Sequence, residues 1–329
     1  MVIGAGLIFV LILVLVSEII NGWTDAPNAI ATVVATRVLK PKWAIILAPV
    51  GNIIGAFFGT AVAKTIGTGI VRPEMIDLHT IAAAMISIIL WGVTAWRLSL
   101  PISKSHALVA GLAGAGFASG GLPALLWSGW EKVLIGLLIS SIVGLTGGYL
   151  VAWTIRLTCN KVPRTRAQKV FGFLQILSAG GMAFSHGSND GQKFIGMFTL
   201  ALVLGGVLPS FRVLPWVIIV CSLTMGLGTS IGGWRIIKTM GEKMVRLEPY
   251  QGFSAESAAT AAITLASHYG VPLSTTHTIN TSIMGVGAAT RFSEVHWGTV
   301  KEMVTAWLLT FPICGALGFL AGTLFKVIF

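Results

Sequence analysis

Long apolar stretches, separated by short polar segments, occupy most of this chain. A helix that spans a membrane needs about 20 consecutive and mostly apolar residues. Stretches of roughly this length lie at 2–20, 43–63, 78–96, 132–154, 213–234 and 302–325. The pattern therefore predicts an all-α polytopic membrane protein.

Further apolar stretches are interrupted or contain small polar residues. They lie at 22–37, 101–118, 170–206 and 254–290, and the last two are each long enough for two segments. An irregular backbone at membrane depth persists only where protein surrounds it or where it lines a water-filled cavity. We therefore expect broken or re-entrant helices in these stretches, and we expect functional residues among them.

The composition supports a membrane protein and argues against a soluble one. Hydrophobic residues make up 55% of the 329 residues and charged residues 10%, whereas a soluble domain carries about 25% charged residues. The net charge is +11, but the basic residues lie between apolar stretches, as in cytoplasmic loops. We therefore expect the lipid bilayer as a partner and no nucleic acid. The 3 cysteines lack metal-site spacing, and we assign no cofactor and no metal.

Two short motifs each occur twice in the chain. Pro101–His106 (PISKSH) resembles Pro272–His277 (PLSTTH) at an offset of 171 residues. Thr24–Asn28 (TDAPN) resembles Asn189–Lys193 (NDGQK) at an offset of 165. Because both motifs recur in the same order at nearly the same spacing, we infer that the chain consists of two homologous halves.

The halves are 1–155 and 170–329, and the basic segment 156–169 joins them. If this segment is cytoplasmic, 15 of the 22 Lys and Arg residues lie on the cytoplasmic side and five on the other, as the positive-inside rule requires. Both termini then lie outside the cell membrane (inner or plasma membrane). Each half crosses the membrane an odd net number of times, so we expect two inverted-topology repeats, as in many secondary transporters.

The first motif contains a carboxylate in apolar surroundings in each half. Asp25 and Asp190 are expensive to place in a membrane, and such residues usually serve a function. They are accompanied by the amides of Asn28, Asn189 and Gln192. The alternative is that each aspartate only caps a half-helix. We expect the aspartates to bind a coupling ion or proton, the amides to bind substrate and Thr24 to shape the site.

The second motif is rich in hydroxyl groups, which follow a proline in each half. They belong to Ser103, Ser105, Ser274, Thr275 and Thr276. Unpaired N–H groups and the positive end of the helix dipole make a helix N-terminus an anion site. The alternative is that these residues are ordinary helix caps. Their duplication favours an anion site.

Three histidines and one lysine complete the candidate residues. His106 and His277 end the second motifs and His186 precedes the aspartate of the second half, so we expect them to shape the site or handle protons, or simply to pack. Lys193 stands where the first half has Asn28. A lysine at membrane depth either pairs with an anion or extends its ammonium to the interface.

These motifs resemble the duplicated signatures of the inorganic phosphate transporter (PiT) family. Ser185–Gly196 is similar to bacterial low-affinity phosphate permeases in particular, and the resemblance extends over nearly the whole chain. It implies a phosphate symporter driven by H⁺ or Na⁺, with the substrate between two inverted repeats, and a homodimer. It also implies a role in coupling for Glu256, which lies where the family has a functionally important glutamate.

Two departures from the family pattern bear on the coupling ion. Thr24 and Lys193 each replace the family's usual Asn. An ammonium at the second position could replace a bound Na⁺, so we predict H⁺ coupling, with a divalent-metal phosphate as another form of the substrate. The alternatives are a Na⁺-coupled phosphate symporter and a sulfate permease. Because the sequence has neither H-E-x-x-H nor G-x-S-x-G, we expect no enzyme.

Overall fold

The computed structural model describes residues 4–328, with Glu242 described by its backbone alone. These residues form α-helices and connecting segments, with no β-strand among them. The helices are α1 Ala5–Ala35, α2 Pro41–Ala56, α3 Ala61–Gly69, α4 Leu78–Arg97, α5 Lys104–Gly120, α6 Trp127–Thr158, α7 Arg164–His186, α8 Gln192–Leu204, α9 Pro215–Ile231, α10 Trp234–Lys238, α11 Pro249–His268, α12 Thr275–Thr290 and α13 Trp297–Ile328. Short π-helical segments at Gly187–Gly191 and Thr239–Lys243 follow α7 and α10.

The helices confirm the predicted class. Four of them, α1, α4, α6 and α13, are long and apolar enough to cross a membrane. Two bent pairs, α2 with α3 (72°) and α9 with α10, add up to two more spans. On α6 and α13 most of the apolar surface faces outward. This is the arrangement that lipid, rather than water, accommodates.

The stretch 43–63 is not the uninterrupted span that its composition predicts. Its helix ends at Ala56 and restarts at Ala61. Gly59 lies in the break with a φ of +93°, a conformation that glycine adopts without steric cost. Hydropathy alone did not reveal this break, because the residues on both sides of it are apolar.

The stretch 22–37 is not interrupted, contrary to expectation. It is the second part of α1, which continues from Ala5 to Ala35 with Pro27 inside it. A continuous helix satisfies its own backbone hydrogen bonds in an apolar environment. The polar side chains in this region therefore project from an intact helix instead of marking a break.

The stretch 170–206 forms one helical path instead of two segments. α7 passes through the π-helical turn Gly187–Gly191 directly into α8. Such π-bulges are frequent at functional sites. The turn packs tightly against α2, since a Cβ at Gly187 would lie 2.1 Å from the carbonyl oxygen of Asn52. The second aspartate motif lies in this turn.

The hydroxyl motifs begin two short buried helices, α5 and α12. Each helix follows an irregular segment, 98–103 or 269–274. α5 packs along α13, and α12 packs along α6. Each short helix thus contacts a long helix from the other half of the chain, so the halves interlock. The inversion of the halves stays a prediction.

The apolar core has two large clusters. One includes the beginning of α1 and residues of α5 and α8, and the other includes the end of α1 and residues of α2, α7 and α12. The buried polar residues of α1 lie at 17–28, between these clusters, and at Thr32. The fold therefore places its polar motifs in the middle of the protein.

Candidate functional site

The N-termini of α5 and α12 have the same local structure. The Ser103 hydroxyl accepts a hydrogen bond from the N–H of His106 at 3.3 Å, and Ser274 does the same for His277 at 3.1 Å. These two serines are therefore helix caps. The remaining hydroxyls of the motif are available for other contacts.

The two helix N-termini meet each other. Ser105 Oγ donates to the carbonyl oxygen of Leu273 at 2.8 Å, and the rings of His106 and His277 lie 4.5 Å apart. Motifs that are 171 residues apart in sequence thus form one structure. The positive ends of two helix dipoles converge there, which favours a bound anion.

Asp25 of α1 is surrounded by neutral polar groups. Its Oδ2 accepts hydrogen bonds from Asn28 Nδ2 and Thr276 Oγ1, each at 3.2 Å. The Thr24 hydroxyl lies 3.2 Å from Oδ1. Asn28 also donates to Thr276 Oγ1 at 3.0 Å and lies 3.4 Å from Thr275 Oγ1. The aspartate motif of the first half therefore meets the hydroxyl motif of the second.

Asp190 lies in the π-helical turn and has a cation beside it. Lys193 forms an ion pair with it, and Thr275 Oγ1 donates to its Oδ2 at 2.8 Å. His186 Nε2 lies 3.2 Å from the same oxygen without the geometry of a hydrogen bond. Ligand atoms of Asp25, His186 and Asp190 lie within 4.8 Å of one another. This spacing could hold one metal ion.

Lys193 is fully buried and hydrogen-bonded. Its Nζ donates to Asp190, to Ser105 Oγ and to the carbonyl oxygen of Leu273, the last at 2.8 Å. An ammonium has three N–H donors, so all three are used. Of the two alternatives for this lysine, the structure shows pairing and not extension to an interface.

Two predicted substrate ligands lie beside the site but point elsewhere. Asn189 Nδ2 donates to Ser267 Oγ at 2.9 Å. Gln192 bridges the break between α2 and α3, because it donates to the carbonyl of Phe58 and accepts from the N–H of Val62, each at 3.0 Å. Asn189 Nδ2 also donates to the carbonyl oxygen of Val271 at 3.3 Å, so both amides hold the surrounding backbone in position.

Glu256 belongs to a separate polar cluster. Its carboxyl group accepts hydrogen bonds from Thr32 and Ser178, and Gln175 Nε2 lies 3.4 Å from it. Thr32 is one helical turn beyond Asn28 on α1. Glu256, on α11, therefore contacts the helix that carries Asp25, but its hydrogen bonds go to neither aspartate.

The three histidines divide into two kinds. His277 stacks on Trp307 at 3.9 Å between ring centroids, and His106 stacks on Phe311 at 4.7 Å. These two fill the contact with α13. His186 alone of the three contacts an aspartate of the site.

Sequence reasoning missed two buried charged residues. Lys104 is 2% exposed and Glu18 is fully buried. Lys104 Nζ has no hydrogen-bond partner among the described residues, and Asp25 is the charged group that interacts with it most strongly. Lys104 lies inside a recognised motif, and Glu18 precedes Asp25 by seven residues, which places both acids on one helical face. That spacing could have revealed Glu18.

The site is closed on all sides. None of the polar residues that form it is more than 4% exposed. Two carboxyl groups, two helix N-termini, hydroxyl groups and two lysines are buried in this region. Such a site can hold a small anion together with a compensating cation or proton.

Comparisons with known proteins identify relatives over nearly the whole chain. The phosphate transporter family model matches residues 21–318. A probable low-affinity inorganic phosphate transporter of Bacillus subtilis is 40% identical over 325 residues, which cover 98% of each chain. One of Rhizobium meliloti is 40% identical over 297 residues, covering 90% of this chain and 89% of the other.

A solved structure has a similar fold. It is described as the sodium-dependent phosphate transporter and superposes with a TM-score of 0.87, at 22% identity, over 99% of this chain and 100% of the other. This match shows that the two chains share a fold.

Proposed function

Because this chain belongs to the phosphate transporter family, we propose that it carries inorganic phosphate into the cell together with protons. We choose protons over Na⁺ because of the position of Lys193. Its ammonium is bonded to Asp190, to Ser105 and to the carbonyl of Leu273. The family consists of transporters, and the chain is not an enzyme.

The ligands of Lys193 support this choice. A carboxylate, a hydroxyl and a carbonyl oxygen are the ligands that a hard cation such as Na⁺ prefers. Here they surround a covalently attached ammonium instead. The second half therefore needs no bound Na⁺ to balance Asp190.

Asp25 is the proposed site of the transported proton. Its hydrogen-bonding partners are neutral hydroxyl and amide groups. A buried carboxylate with neutral partners is balanced when it binds a proton. The first half thus binds a mobile proton at Asp25, whereas the second half has the fixed ammonium of Lys193 beside Asp190.

The proposed phosphate ligands are groups at the two helix N-termini together with a buried lysine of α5. They are the N–H groups of α5 and α12, the hydroxyls of Ser105, Thr275 and Thr276, and the ammonium of Lys104. Lys104 Nζ is buried without a hydrogen-bond partner among the described residues, whereas the N–H groups of Lys193 are all used. Lys104 is therefore the cation free to bind an anion.

A metal–phosphate complex is a second form of the proposed substrate. It is favoured by the cluster of Asp25, His186 and Asp190, whose ligand atoms lie within 4.8 Å of one another. Imidazole and carboxylate groups together suit divalent transition metals. Addition of Mn²⁺ or Zn²⁺ should then raise the initial rate of uptake at fixed free phosphate.

The proposed setting is the cell membrane, with both termini outside and the protein a homodimer. Its support is the distribution of basic residues and the family pattern. Single cysteines introduced near each terminus of the protein can be labelled from outside intact cells, which tests the orientation. Cross-linking of the protein in membranes tests the dimer.

Uptake of labelled phosphate into proteoliposomes tests the function. An inward proton gradient without Na⁺ should drive accumulation of phosphate, and labelled sulfate should not accumulate. Lys193→Asn copies the residue of the first half, so it should lose uptake in the absence of Na⁺ and acquire Na⁺ dependence. Strict Na⁺ dependence in the wild type would contradict proton coupling.

A further inference from the structure

A line of buried polar side chains follows one face of α1. Glu18, Asn21, Asp25, Asn28 and Thr32 are separated by three or four residues in turn, the spacing that places side chains on one helical face. All are at most 3% exposed. The line begins with a carboxyl group, Glu18, that has no role in the phosphate site.

Glu18 is fully buried and incompletely hydrogen-bonded. Its Oε2 accepts a hydrogen bond from Asn21 Nδ2 at 3.2 Å. Its Oε1 has no partner among the described residues, and neither has Oδ1 of Asn21. Two neighbouring side chains thus each have an oxygen without a hydrogen bond. If Glu18 is ionised, both oxygens can only accept hydrogen bonds, so they cannot bond to each other.

The charges around Glu18 do not neutralise it. The titratable groups that interact with it electrostatically are Asp25 on the same helix, Asp190 in the π-helical turn, Lys193 on α8 and the Cys221 thiol on α9. Lys193 is the cation among them, and its three N–H groups are bonded elsewhere. An ionised Glu18 would therefore be a buried carboxylate without a bound cation, which is costly.

A proton on Oε1 removes these unfavourable features together. It neutralises the carboxyl group and turns Oε1 into a donor. The O–H can then bond Asn21 Oδ1 while the Asn21 amide bonds Oε2, which gives an acid–amide pair with two hydrogen bonds. A cation bound between the two free oxygens would satisfy them as well, so the experiment has to separate these ligands.

We propose that Glu18 and Asn21 form a second proton-binding site, on the N-terminal side of Asp25. Seven residues of helix separate Glu18 from Asp25, which is about 10 Å along the axis. Glu18 holds a proton in this closed state and releases it during transport. The release rests on the proposed proton symport, while the binding of a proton to Glu18 does not.

Infrared spectroscopy of the purified protein at neutral pH tests the binding of the proton. The carbonyl stretch of a protonated carboxylic acid should be present in the wild type and should lose one component in Glu18→Gln. The matched control is Glu131→Gln on the exposed surface of α6, which should leave the band unchanged. An unchanged band in Glu18→Gln overturns the proposal, and so does a band that Na⁺ removes from the wild type.

Transport measurements test whether this proton moves. Glutamine imitates the neutral acid, so Glu18→Gln should keep phosphate counterflow within twofold of the wild type. Accumulation driven by a proton gradient should fall at least tenfold, because the side chain can no longer release a proton. Normal accumulation would show that Glu18 is a permanently protonated structural residue. It would overturn the proposal that Glu18 releases its proton during transport.

A second variant covers the case in which Glu18→Gln does not fold. Asn21→Leu removes the acceptor of the acid O–H, so the acid band should shift in frequency, and no shift would contradict the acid–amide pair. A wild type that accumulates phosphate only with Na⁺ would refute the proton symport itself. That outcome is recognised without any variant of Glu18.

Discussion

The two aspartate sites have the same origin in the sequence and different electrostatics. Asp25 has only neutral hydrogen-bonding partners, from Thr24, Asn28 and Thr276. Asp190 is bonded to the ammonium of Lys193. The difference teaches that the aspartate of one half has an ammonium bonded directly to it, whereas Lys104 acts on the other aspartate without a hydrogen bond. In the proposed mechanism, the aspartate without a bonded cation is the one that binds a transported proton.

Asp25→Asn should have the largest effect on transport. Asparagine keeps the shape of the side chain and can still accept hydrogen bonds from the surrounding hydroxyls, but it cannot carry a proton. Accumulation of phosphate in proteoliposomes should fall to background, while the unfolding temperature stays close to that of the wild type. Normal accumulation by this variant would remove Asp25 from the coupling mechanism.

Asp190→Asn should instead reduce stability. It leaves Lys193 as a buried unpaired ammonium, and loss of one partner from a buried ion pair costs about 3–5 kcal/mol. The double variant Asp190→Asn with Lys193→Asn removes both charges and should recover a large part of that loss. Thermal unfolding in detergent measures both variants. Equal stability of Asp190→Asn and Asp25→Asn would mean that the two sites do not differ as proposed.

Lys104→Gln should weaken phosphate binding without removing the coupling. A hydrogen bond to a charged group contributes about 1.5–3 kcal/mol, so the half-saturation concentration should rise roughly tenfold or more. Lys132→Gln, on the exposed surface of α6, is the control and should not change it. If Lys104→Gln binds phosphate as the wild type does, Lys104 is not a ligand.

The smallest effects are expected from substitutions of single hydroxyl groups in the two copies of the second motif. These variants should distinguish phosphate ligands from helix caps. Ser105→Ala and Thr276→Ala should each weaken phosphate binding by about 1 kcal/mol, the value of one hydrogen bond. Ser103→Ala and Ser274→Ala remove helix caps and should cost about 1 kcal/mol of stability instead. Binding titrations and thermal unfolding of the four variants measure both quantities. The same change in all four would erase the distinction between ligands and caps.

The sequence was most informative where a motif was duplicated. The repetition of aspartate and hydroxyl motifs predicted that Asp25, Asp190, Ser105, Thr275 and Thr276 matter together, and the structure brings them into one enclosed site. The same reasoning included Gln192, which instead holds the break between α2 and α3. A polar residue in a motif can bind either a ligand or the backbone beside it, and the identity of the residue does not distinguish these two roles.

Single residues outside the duplicated pattern were harder to interpret. Lys104 lies in the first hydroxyl motif where the second has Thr275, and the repeat by itself indicates no separate role for it. Glu18 lies in an apolar stretch whose composition predicts only a membrane span. Both stand out only after packing shows that each is buried with an atom that has no hydrogen-bond partner.

By itself, the sequence determined the membrane class, the two sets of motifs and the asymmetry between Asn28 and Lys193, because hydropathy and repetition are properties of the chain. Tertiary structure decided which partners those residues have. It joined Asp25 to Thr276 and Lys193 to Ser105, across 251 and 88 residues of sequence. The free energy and the protonation of a buried charged group depend on the groups packed around it. No local sequence pattern specifies groups that come from distant helices.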